Sequence, residues 1–253
     1  MKIEAFILCY NEEKLIRYTL AHYLNFCSKV TIIDNYSTDN TISIIKNEFS
    51  ERVKIVQYDS NNQLNDSAYT YIKNNCWKQS KADWVIVCDM DELLHYNYSG
   101  FGIIDFLITL GSSCPIIMPY GYNMFSETFP DKYIANLTTL ITKGVRAPNF
   151  DKSILFQPKM LEEINYGPGA HYCNPVIKEQ YKRNLSYRSE HLKLLHYKYI
   201  GIDYLIQKHE QYANRLSSYN KVNQFGAEYI KGKQHVVDCF NEIKNSNKLI
   251  DVI

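Results

Sequence analysis

Three acidic residues lie within a span of four at the end of an apolar run, in VIVCDMDELL (residues 85–94). They are Asp89, Asp91 and Glu92. In an extended segment, side chains two apart point to the same side, so Asp89 and Asp91 can face one ligand together. Carboxylate oxygens bind Mg²⁺ or Mn²⁺, and phosphate oxygens of a substrate can complete the metal's shell. From spacing alone, a metal site and an acidic loop that caps the next helix both remain open.

The first half of the chain alternates between strand and helix patterns. Four short apolar runs predict strands over Ile3–Cys9, Val30–Asp34, Val53–Gln57 and Trp84–Cys88. The stretches between them place apolar residues at helical spacing, over residues 11–27, 37–49 and 66–80. Strands joined by helices imply right-handed crossovers. The pattern therefore predicts an α/β fold, a doubly wound and mostly parallel sheet flanked by helices.

Polar residues follow each predicted strand, at the edge where such sheets bind ligands. They are Tyr10 to Glu12, Asp34 and Asn35, Tyr58 and Asp59, and Asp89 to Glu92. The chain has no glycine-rich phosphate loop of the type GxGxxG or GxxxxGK[ST]. If a phosphate binds at this edge, other groups must hold it.

Composition narrows the class of protein. The 253 residues carry a net charge of +1, which gives no global field toward nucleic acid, so we expect no nucleic-acid partner. No segment approaches the roughly 18 apolar residues of a membrane span. The seven cysteines are an odd number without a CxxC pair, which favours reduced thiols in a cytoplasmic protein.

The order of these pieces resembles family-2-like glycosyltransferases with the GT-A fold. FILCYNEE (residues 6–13) is similar to their opening strand and loop, and VTIIDNYSTDNT (residues 30–41) to their segment vvDDgStDgT. WVIVCDMDE (residues 84–92) is similar to the strand that delivers their DxD motif, in the DxDE form of one branch. The resemblance covers the first 95 residues or so. It departs at Asn35, which stands where the second Asp of the family's DD pair is found.

The resemblance implies a nucleoside-diphosphate sugar as donor, with UDP as the expected nucleotide. Six residues would surround the nucleotide: Tyr10, Glu12, Asp34, Asn35, Asn65 and Asp66. Of these, Asp34 or Asn35 would lie near the base. Asp91 would ligate Mn²⁺ or Mg²⁺ on the diphosphate, and Asp89 would face the ribose or the donor sugar, or share the metal.

The second half resembles a branch of the same family in three stretches, FDKSILFQP (150–158), GPGAHY (167–172) and LLHYKY (194–199). The resemblance implies a late histidine on the metal, with His196 as first choice and His171 as second. Lys152 and Lys198 are candidates to bind the diphosphate. The alternatives are a core histidine at His196 and surface lysines at 152 and 198.

Family-2-like enzymes generally invert the anomeric centre, with a carboxylate that deprotonates the acceptor. YGYNMFSETFPD (residues 120–131) offers Glu127 and Asp131, and we prefer Glu127. The acceptor would be a glycan or a glycolipid, in the synthesis of surface polysaccharide. We expect one GT-A catalytic domain over residues 1–253, with a nucleotide-sugar half (1–95), an acceptor-side half (96–200) and a C-terminal helical segment (201–253) that completes the acceptor side.

The C-terminal segment contains an amphipathic helix over Asp203–Tyr219, with Lys208 and Arg215 opposite its apolar face. Packing against the catalytic domain is the favoured interpretation, and peripheral attachment to the inner face of a membrane is the alternative. Two other functions stay open from the sequence, a nucleotidyltransferase and a nucleotide- or sugar-binding module without catalysis. A phosphatase of the haloacid-dehalogenase type is disfavoured because its DxD ends the first strand.

Overall fold

The four predicted strands of the first half are present in the structure, a computed structural model that describes residues 1–111, 113–130, 136–184 and 186–253. They are β1 (Ile3–Cys9), β2 (Lys29–Asp34), β3 (Val53–Gln57) and β4 (Trp84–Asp89). All pair in parallel, in the spatial order β4-β1-β2-β3. Their carboxyl ends therefore lie side by side, and the polar residues that follow them share one edge.

The remaining strands extend the sheet beyond β4. They are β5 (Glu92–Tyr96), β6 (Ile116–Ser126), β7 (Lys143–Arg146), β8 (Leu155–Phe156), β11 (Tyr187–Ile200) and β12 (Ile250–Asp251). The order along the sheet is β12-β7-β6-β8-β4-β1-β2-β3, and β11 pairs with β5 and β6. A separate two-stranded sheet consists of β9 (Leu161–Glu163) and β10 (Val176–Ile177). The predicted fold class, a mostly parallel α/β sheet of the GT-A type, is confirmed.

Eight α-helices flank the sheet in the described part of the chain. They are α1 (Ile16–Leu24), α2 (Thr41–Glu48), α3 (Asp66–Asn75), α4 (Ile103–Leu110), α5 (Leu137–Leu140), α6 (Ile202–Arg215), α7 (Ser218–Val222) and α8 (Gly232–Lys244). The single helix predicted over residues 203–219 is wrong at its end. It stops at Arg215, because Ser217 starts a new helix by accepting a hydrogen bond from the Asn220 N–H at 3.1 Å.

Apolar side chains of the central strands are buried on both faces of the sheet. Ala5 and Ile7 of β1 belong to the larger cluster, and Phe6 and Leu8 belong to a second cluster. This alternation explains why β1 reads as a continuous apolar run, since a strand covered on both sides has no polar face. All seven cysteine thiols are free, as predicted. Within the described residues, no helix has the length and apolar character that crossing a membrane requires.

Helix α1 holds the backbone of the acidic stretch through three side-chain hydrogen bonds. The Thr19 hydroxyl donates to the Met90 carbonyl at 2.7 Å, and the Tyr23 hydroxyl donates to the Glu92 carbonyl at 2.7 Å. His22 Nε2 lies 2.8 Å from the Leu94 carbonyl, and burial lowers the pKa of His22 to about 4, so the ring is neutral and donates through this nitrogen. These bonds fix residues 90–94 at the end of β4.

Replacing Tyr23 with Phe should destabilise the fold by about 1–3 kcal/mol, because the Glu92 carbonyl then loses a buried donor. The Leu94 N–H, which donates to the same hydroxyl at 3.2 Å, loses an acceptor. Urea unfolding of Tyr23→Phe measures the change. Tyr71→Phe, at a side chain 71% exposed, is the control and should stay within about 0.5 kcal/mol. Equal stability of the two variants would contradict a stabilising role for the hydrogen bonds of the Tyr23 hydroxyl.

Candidate active site

A cavity of about 640 Å³ opens at the carboxyl ends of β1 and β4. Its walls come from three parts of the chain. The first half contributes Tyr10, Glu12, Asp66, Lys73, Asp89 and Asp91. The middle contributes Asn123, Phe150, Lys152, His171, His196 and Lys198, and the C-terminal helices contribute Lys208, His209, Tyr212, Glu228 and Tyr229. Of the predicted site residues, Asp34, Asn35, Asn65 and Glu127 do not line this cavity.

Asp89 is held by lysines. Its Oδ2 accepts a hydrogen bond from Lys73 Nζ at 2.7 Å and lies 3.9 Å from Lys152 Nζ. Burial opposes ionisation of Asp89, but the two ammonium groups outweigh it and hold its pKa below the ordinary value. Burial alone would lower the pKa of Lys73, whereas Asp89 and Glu92 raise it. Asp89 is therefore an ionised carboxylate with a fixed cationic partner.

Glu92 is buried and supports the end of β4. Its Oε1 accepts from Lys152 Nζ at 2.5 Å, and its Oε2 accepts from the Asp89 backbone N–H at 3.0 Å. Both carboxylate oxygens of Glu92 are thus engaged by the protein. Lys152, predicted to bind the diphosphate, lines the cavity but has Glu92 as its closest partner.

The carboxylate of Asp91 pairs with a histidine, whereas that of Asp89 pairs with a lysine. His196 Nε2 lies 3.2 Å from Asp91 Oδ2, and the register of β11 places His196 beside Glu92 of β5 and Asn123 of β6. Strand pairing therefore carries the late histidine to the acids, more than a hundred residues away in sequence. Burial opposes ionisation of Asp91, yet His196 holds its pKa well below the ordinary value.

The His196 ring is oriented from two sides. Its Nδ1 lies 2.8 Å from Asn123 Oδ1, and its face stacks on Phe150 with ring centroids 3.9 Å apart. The Phe150 segment can approach β6 this closely because the residue of β6 that faces it is a glycine, Gly121. A Cβ on Gly121 would lie 2.4 Å from the Phe150 carbonyl carbon, so any side chain would push the Phe150 segment away.

The donor set of Asp91 and His196 fits a divalent metal. If Asn123 presents its amide oxygen to the ring, Nδ1 carries the proton and the lone pair of Nε2 faces the Asp91 carboxylate. Two acceptors 3.2 Å apart need a cation or a proton between them. Adjacent ligands of an octahedral ion lie about 3 Å apart when each is about 2.1 Å from the metal. Within the described ranges, no three His, Cys, Asp or Glu side chains cluster as a complete metal site.

A second buried ion pair joins the first loop to helix α6. Lys208 Nζ donates to Glu12 Oε1 at 2.6 Å, and both residues are at most 8% exposed. Burial raises the pKa of Glu12 to about 7, against the opposing pull of Lys208. Lys208 was expected opposite the apolar face of its helix, but the structure buries it. Its ammonium lines the cavity and pairs with Glu12.

Arg215 also lies on the inner side of α6, contrary to expectation. Its Cζ lies 3.2 Å from the ring centroid of Tyr10, and its Nε donates to the carbonyl and Oδ1 of Asn62, both at 3.1 Å. With the Asn35 amide oriented to satisfy its neighbours, Asn35 Oδ1 accepts from Arg215 Nη2 at 2.6 Å. Asp34 turns away and accepts from the Ser37 hydroxyl at 2.6 Å.

The other predicted residues take varied positions. Asn65 caps α3 by accepting from Ser67 and Ala68 N–H groups, while Asp66 lines the cavity and its backbone N–H donates to Asn220 Oδ1 at 2.8 Å. His171 also lines the cavity, with Nδ1 2.7 Å from the Asn149 carbonyl. Glu127 is exposed and pairs with Lys244 at 2.7 Å. Asp131 lies outside the described residues.

Lys198 and Glu228 line the cavity, and their side chains make no ion pair or hydrogen bond with the described part of the chain. Burial lowers the pKa of Lys198, while the Glu228 and Asp91 carboxylates act in the opposite direction. Sequence reasoning included Lys198 but missed Glu228, as it missed Lys73, Asn123, Lys208 and Arg215. One signal was available, because Lys208 and Arg215 are seven apart and share a helix face.

Comparison with known proteins gives one family match. The model of glycosyl transferase family 2 matches residues 5–149, more than half of the chain. The glycosyltransferase SunS of Bacillus subtilis (strain 168), encoded by prophage SPbeta, is 24% identical over 194 residues, and so is SunS of Bacillus phage SPbeta. The alignment covers 74% of this chain and 44% of SunS, so the chain spans less than half the length of these relatives.

Similarity to solved structures is distant. GalNAc-T7, solved with UDP, GalNAc and Mn²⁺, is 9% identical with a TM-score of 0.44, over 98% of this chain and 58% of that one. HddC from Yersinia pseudotuberculosis is 12% identical with a TM-score of 0.35, over 75% of this chain and 92% of that one.

The Glu12–Lys208 pair predicts a pH effect on stability. Glu12 keeps its proton in the folded chain to about pH 7 but releases it near 4.5 when unfolded, so stability falls as pH rises between these values. Lys208→Met removes the opposing cation, raises the pKa of folded Glu12 further and should extend this fall to pH values above 7. Urea unfolding at pH 5, 6, 7 and 8 measures the slope.

The control is the double variant Glu12→Gln with Lys208→Met, in which no carboxylate titrates and the additional slope should vanish. A Lys208→Met variant whose stability does not change between pH 5 and 8 relative to the double variant would contradict the buried pair.

Proposed function

The chain belongs to glycosyl transferase family 2, and we propose that it transfers a sugar from a nucleoside-diphosphate sugar, UDP-linked, to a glycan or lipid-linked acceptor. The observation that carries this proposal is the Asp91–His196 pair, 3.2 Å apart in a cavity at the carboxyl ends of the parallel strands. By analogy with the family we further propose a cytoplasmic role in the synthesis of surface polysaccharide. Residues 1–253 would act as one catalytic unit, since all three of its segments line the cavity.

Asp91 and His196 are the residues that would hold Mn²⁺ or Mg²⁺, with Asn123 fixing the ring of the histidine. When bound, the metal supplies positive charge that stabilises the leaving nucleoside diphosphate. Lys198 has an ammonium without an ion-pair partner among the described residues, and the cavity gives it access to the diphosphate. Asp89 keeps Lys73 as its partner and is suited to accept hydrogen bonds from sugar hydroxyls.

Direct displacement with inversion needs a carboxylate that takes the proton of the acceptor hydroxyl. Glu127 has Lys244 as its partner and lies outside the cavity. Glu228 lines the cavity on the side of Lys198, and its carboxylate has no hydrogen-bond or ion-pair partner within the described residues. We therefore assign the role of base to Glu228, in a short 3₁₀ segment over Ala227–Lys231.

The 3₁₀ segment that carries Glu228 is fastened to α6 by aromatic packing. The Tyr229 ring packs edge-on against His209 with centroids 5.1 Å apart, and it packs at a tilt against Tyr212 with centroids 4.8 Å apart. Gly226 precedes the segment with φ +67°, and a Cβ there would lie 2.8 Å from the Tyr229 ring. The position of Glu228 is thus held by a turn that requires glycine.

Asp91→Asn should abolish transfer, because it removes ligand charge without changing side-chain shape, and His196→Ala should weaken Mn²⁺ affinity. Asp91→Asn should melt within a few degrees of the native chain when no metal is present. His196→Ala also loses the ring contacts with Phe150 and Asn123, so its readout is the Mn²⁺ affinity. Mn²⁺ titrations monitored by the UDP-dependent shift in melting temperature measure the effect. Asp238→Asn, on the exposed side of α8, is the matched control.

Either of two results would exclude the metal assignment. One is an Asp91→Asn variant that retains activity within about threefold of the native chain. The other is a His196→Ala variant that melts at a lower temperature without metal but keeps the native Mn²⁺ dependence.

Glu228→Gln should reduce turnover by about 10²–10⁴-fold, the usual contribution of a positioned base. Affinity for the donor should not change, since the amide keeps the shape of the side chain. The assay follows UDP release from the UDP-sugar that gives the largest thermal shift, over a range of pH. Glu210→Gln on the exposed side of α6 is the control. Loss of donor affinity in parallel with rate would instead assign Glu228 to sugar binding.

A further inference from the structure

One rim of the cavity has a second side that faces solvent. Residues 218–233 form this rim segment, which comprises α7, the 3₁₀ segment with Glu228 and the start of α8. Its inner side lines the cavity through Gln224, Phe225, Gly226, Glu228 and Tyr229. Residues 221–223 and 230–233 are exposed and do not line the cavity. The rim segment therefore has one side toward the site and another side available to a partner.

Three large apolar side chains lie on the solvent side of the rim segment. Val222 is 82% exposed, more than any other large apolar side chain in the described residues, and Ile230 is 60% exposed. Tyr219 is 43% exposed and shares a helix face with Val222, because residues three apart on a helix are neighbours. Single exposed apolar side chains are common, but a group of them beside a cavity indicates an interaction surface.

Hydrogen bonds hold α7 in the orientation that exposes these side chains. Asn220 is fully buried, and its amide donates to the Asp66 carboxylate and accepts from the Asp66 backbone N–H at 2.8 Å. The Phe225 N–H donates to the Asn220 carbonyl at 2.9 Å, and the Phe225 ring packs against Tyr219 with centroids 6.1 Å apart. Asn220 thus fixes one side of α7 on α3, which leaves Val222 in solvent.

The solvent side of the rim segment is also basic. Lys221, Lys231 and Lys233 are exposed, and none makes an ion pair or a side-chain hydrogen bond with the described part of the chain. Glu228 is the only acid among residues 218–233, and it lines the cavity instead. Unpaired cations beside exposed apolar side chains are complementary to an anionic lipid surface, which attracts the charges and admits the apolar groups.

Another exposed apolar patch of the molecule lacks this charge. Phe101, Ile104 and Ile108 are 57%, 40% and 61% exposed. Residues 97–113 contain no lysine or arginine, and their one charged residue is Asp105. This patch has no charge that would attract an anionic surface, so it serves as an internal comparison for the rim segment.

The helix that the sequence offered for membrane attachment is not available. The apolar face of α6 packs into the protein, where Tyr204 and Leu205 are 5% and 1% exposed. Lys208 and Arg215, the cations that would meet lipid headgroups, are buried as well. Contact with a membrane surface needs apolar and cationic side chains that are exposed together, and the segment that follows α6 supplies both.

We propose that the solvent side of the rim segment docks the chain onto an anionic phospholipid bilayer. Glu228 lies in the same 3₁₀ segment as Ile230 and Lys231, so docking brings the mouth of the cavity to the bilayer surface. An acceptor anchored by a lipid would then present its hydroxyl next to the proposed base. The docking itself is inferred from exposure and charge, whereas its use for a lipid-linked acceptor rests on the proposed function.

The test is flotation of the full chain with vesicles of phosphatidylcholine alone and with vesicles that also contain phosphatidylglycerol as about a third of the lipid. The native chain should float with the anionic vesicles. Its binding should weaken as NaCl rises from about 0.1 to about 0.5 M, because salt screens the attraction between exposed lysines and the lipid charges.

A triple variant of the rim lysines isolates the charge. Each lysine near an anionic surface strengthens binding roughly fivefold, so Lys221→Gln, Lys231→Gln and Lys233→Gln together should weaken it about 100-fold. The matched control removes the same charge at exposed lysines away from the cavity, of which two lie at the starts of β2 and β3, the opposite edge of the sheet. It combines Lys29→Gln, Lys46→Gln and Lys54→Gln and should keep native binding.

A second pair of variants isolates the apolar contact. Ile230→Ser should weaken binding to the anionic vesicles about 5- to 20-fold, because the side chain no longer gains by leaving water. Ile108→Ser changes an equally exposed isoleucine in the uncharged patch and should keep native binding. All substituted side chains are exposed, so the melting temperatures of the variants should stay within a few degrees of the native value.

The outcomes separate the inference from the proposed function. A native chain that does not float with the anionic vesicles overturns the docking surface. So does equal binding by the two triple variants, or a loss of binding in Ile108→Ser that matches the loss in Ile230→Ser. The UDP-dependent shift in melting temperature is measured without vesicles. If that shift is absent while the rim variants lose vesicle binding, the proposed function fails and the docking surface stands.

Discussion

The organisation of this chain depends on neutralising the carboxylates that its sheet gathers at one edge. Glu12 follows β1, and Asp89 to Glu92 follow β4, the adjacent strand. A buried charge without a partner costs several kcal/mol, so a cation beside each of these acids stabilises its ionised form. The cations come from four separate elements: Lys73 from α3, Lys152 from the segment before β8, His196 from β11 and Lys208 from α6. Satisfying the acids therefore brings the second half of the chain over the first.

The four partners are not equivalent, and the difference has a chemical consequence. Asp89 and Glu92 raise the pKa of Lys73, and Glu12 raises the pKa of Lys208, against the effect of burial. Asp91 meets an imidazole, which can bind a metal once it is neutral. Among these acids, Asp91 is thus the carboxylate whose counter-charge can be exchanged for a metal ion. The lysines offset the charges of the remaining carboxylates and reduce the repulsion between them.

Sequence patterns predicted the parts of this arrangement that depend on neighbours in the chain. The ends of β1 and β3 agree residue for residue with the apolar runs, and the polar residues after each strand do share one edge. His196 was found through its resemblance to a family segment. Lys73 and Lys208 were missed as cationic partners, because nothing local in a helix pattern distinguishes a lysine in solvent from one directed at a buried carboxylate. Lys208 and Arg215 were assigned to the outer face of their helix by hydrophobicity alone, and long-range electrostatics reversed that assignment.

Placing Lys208 and Arg215 on a single helix also fixes a distance. Residues seven apart on an α-helix lie on one face and about 10.5 Å apart along its axis. Lys208 meets Glu12, which lies beyond the end of β1 toward Asp91, and Arg215 meets Tyr10 and Asn35 toward β2. The helix therefore spans the sheet edge from Glu12 to Asn35 as one rigid body. A loop could bring the same two cations to the edge, but it would let their separation vary. A helix anchored at both ends holds its contacts with Glu12 and with Tyr10 and Asn35 at one spacing, so the segments that follow β1 and β2 are fixed relative to each other.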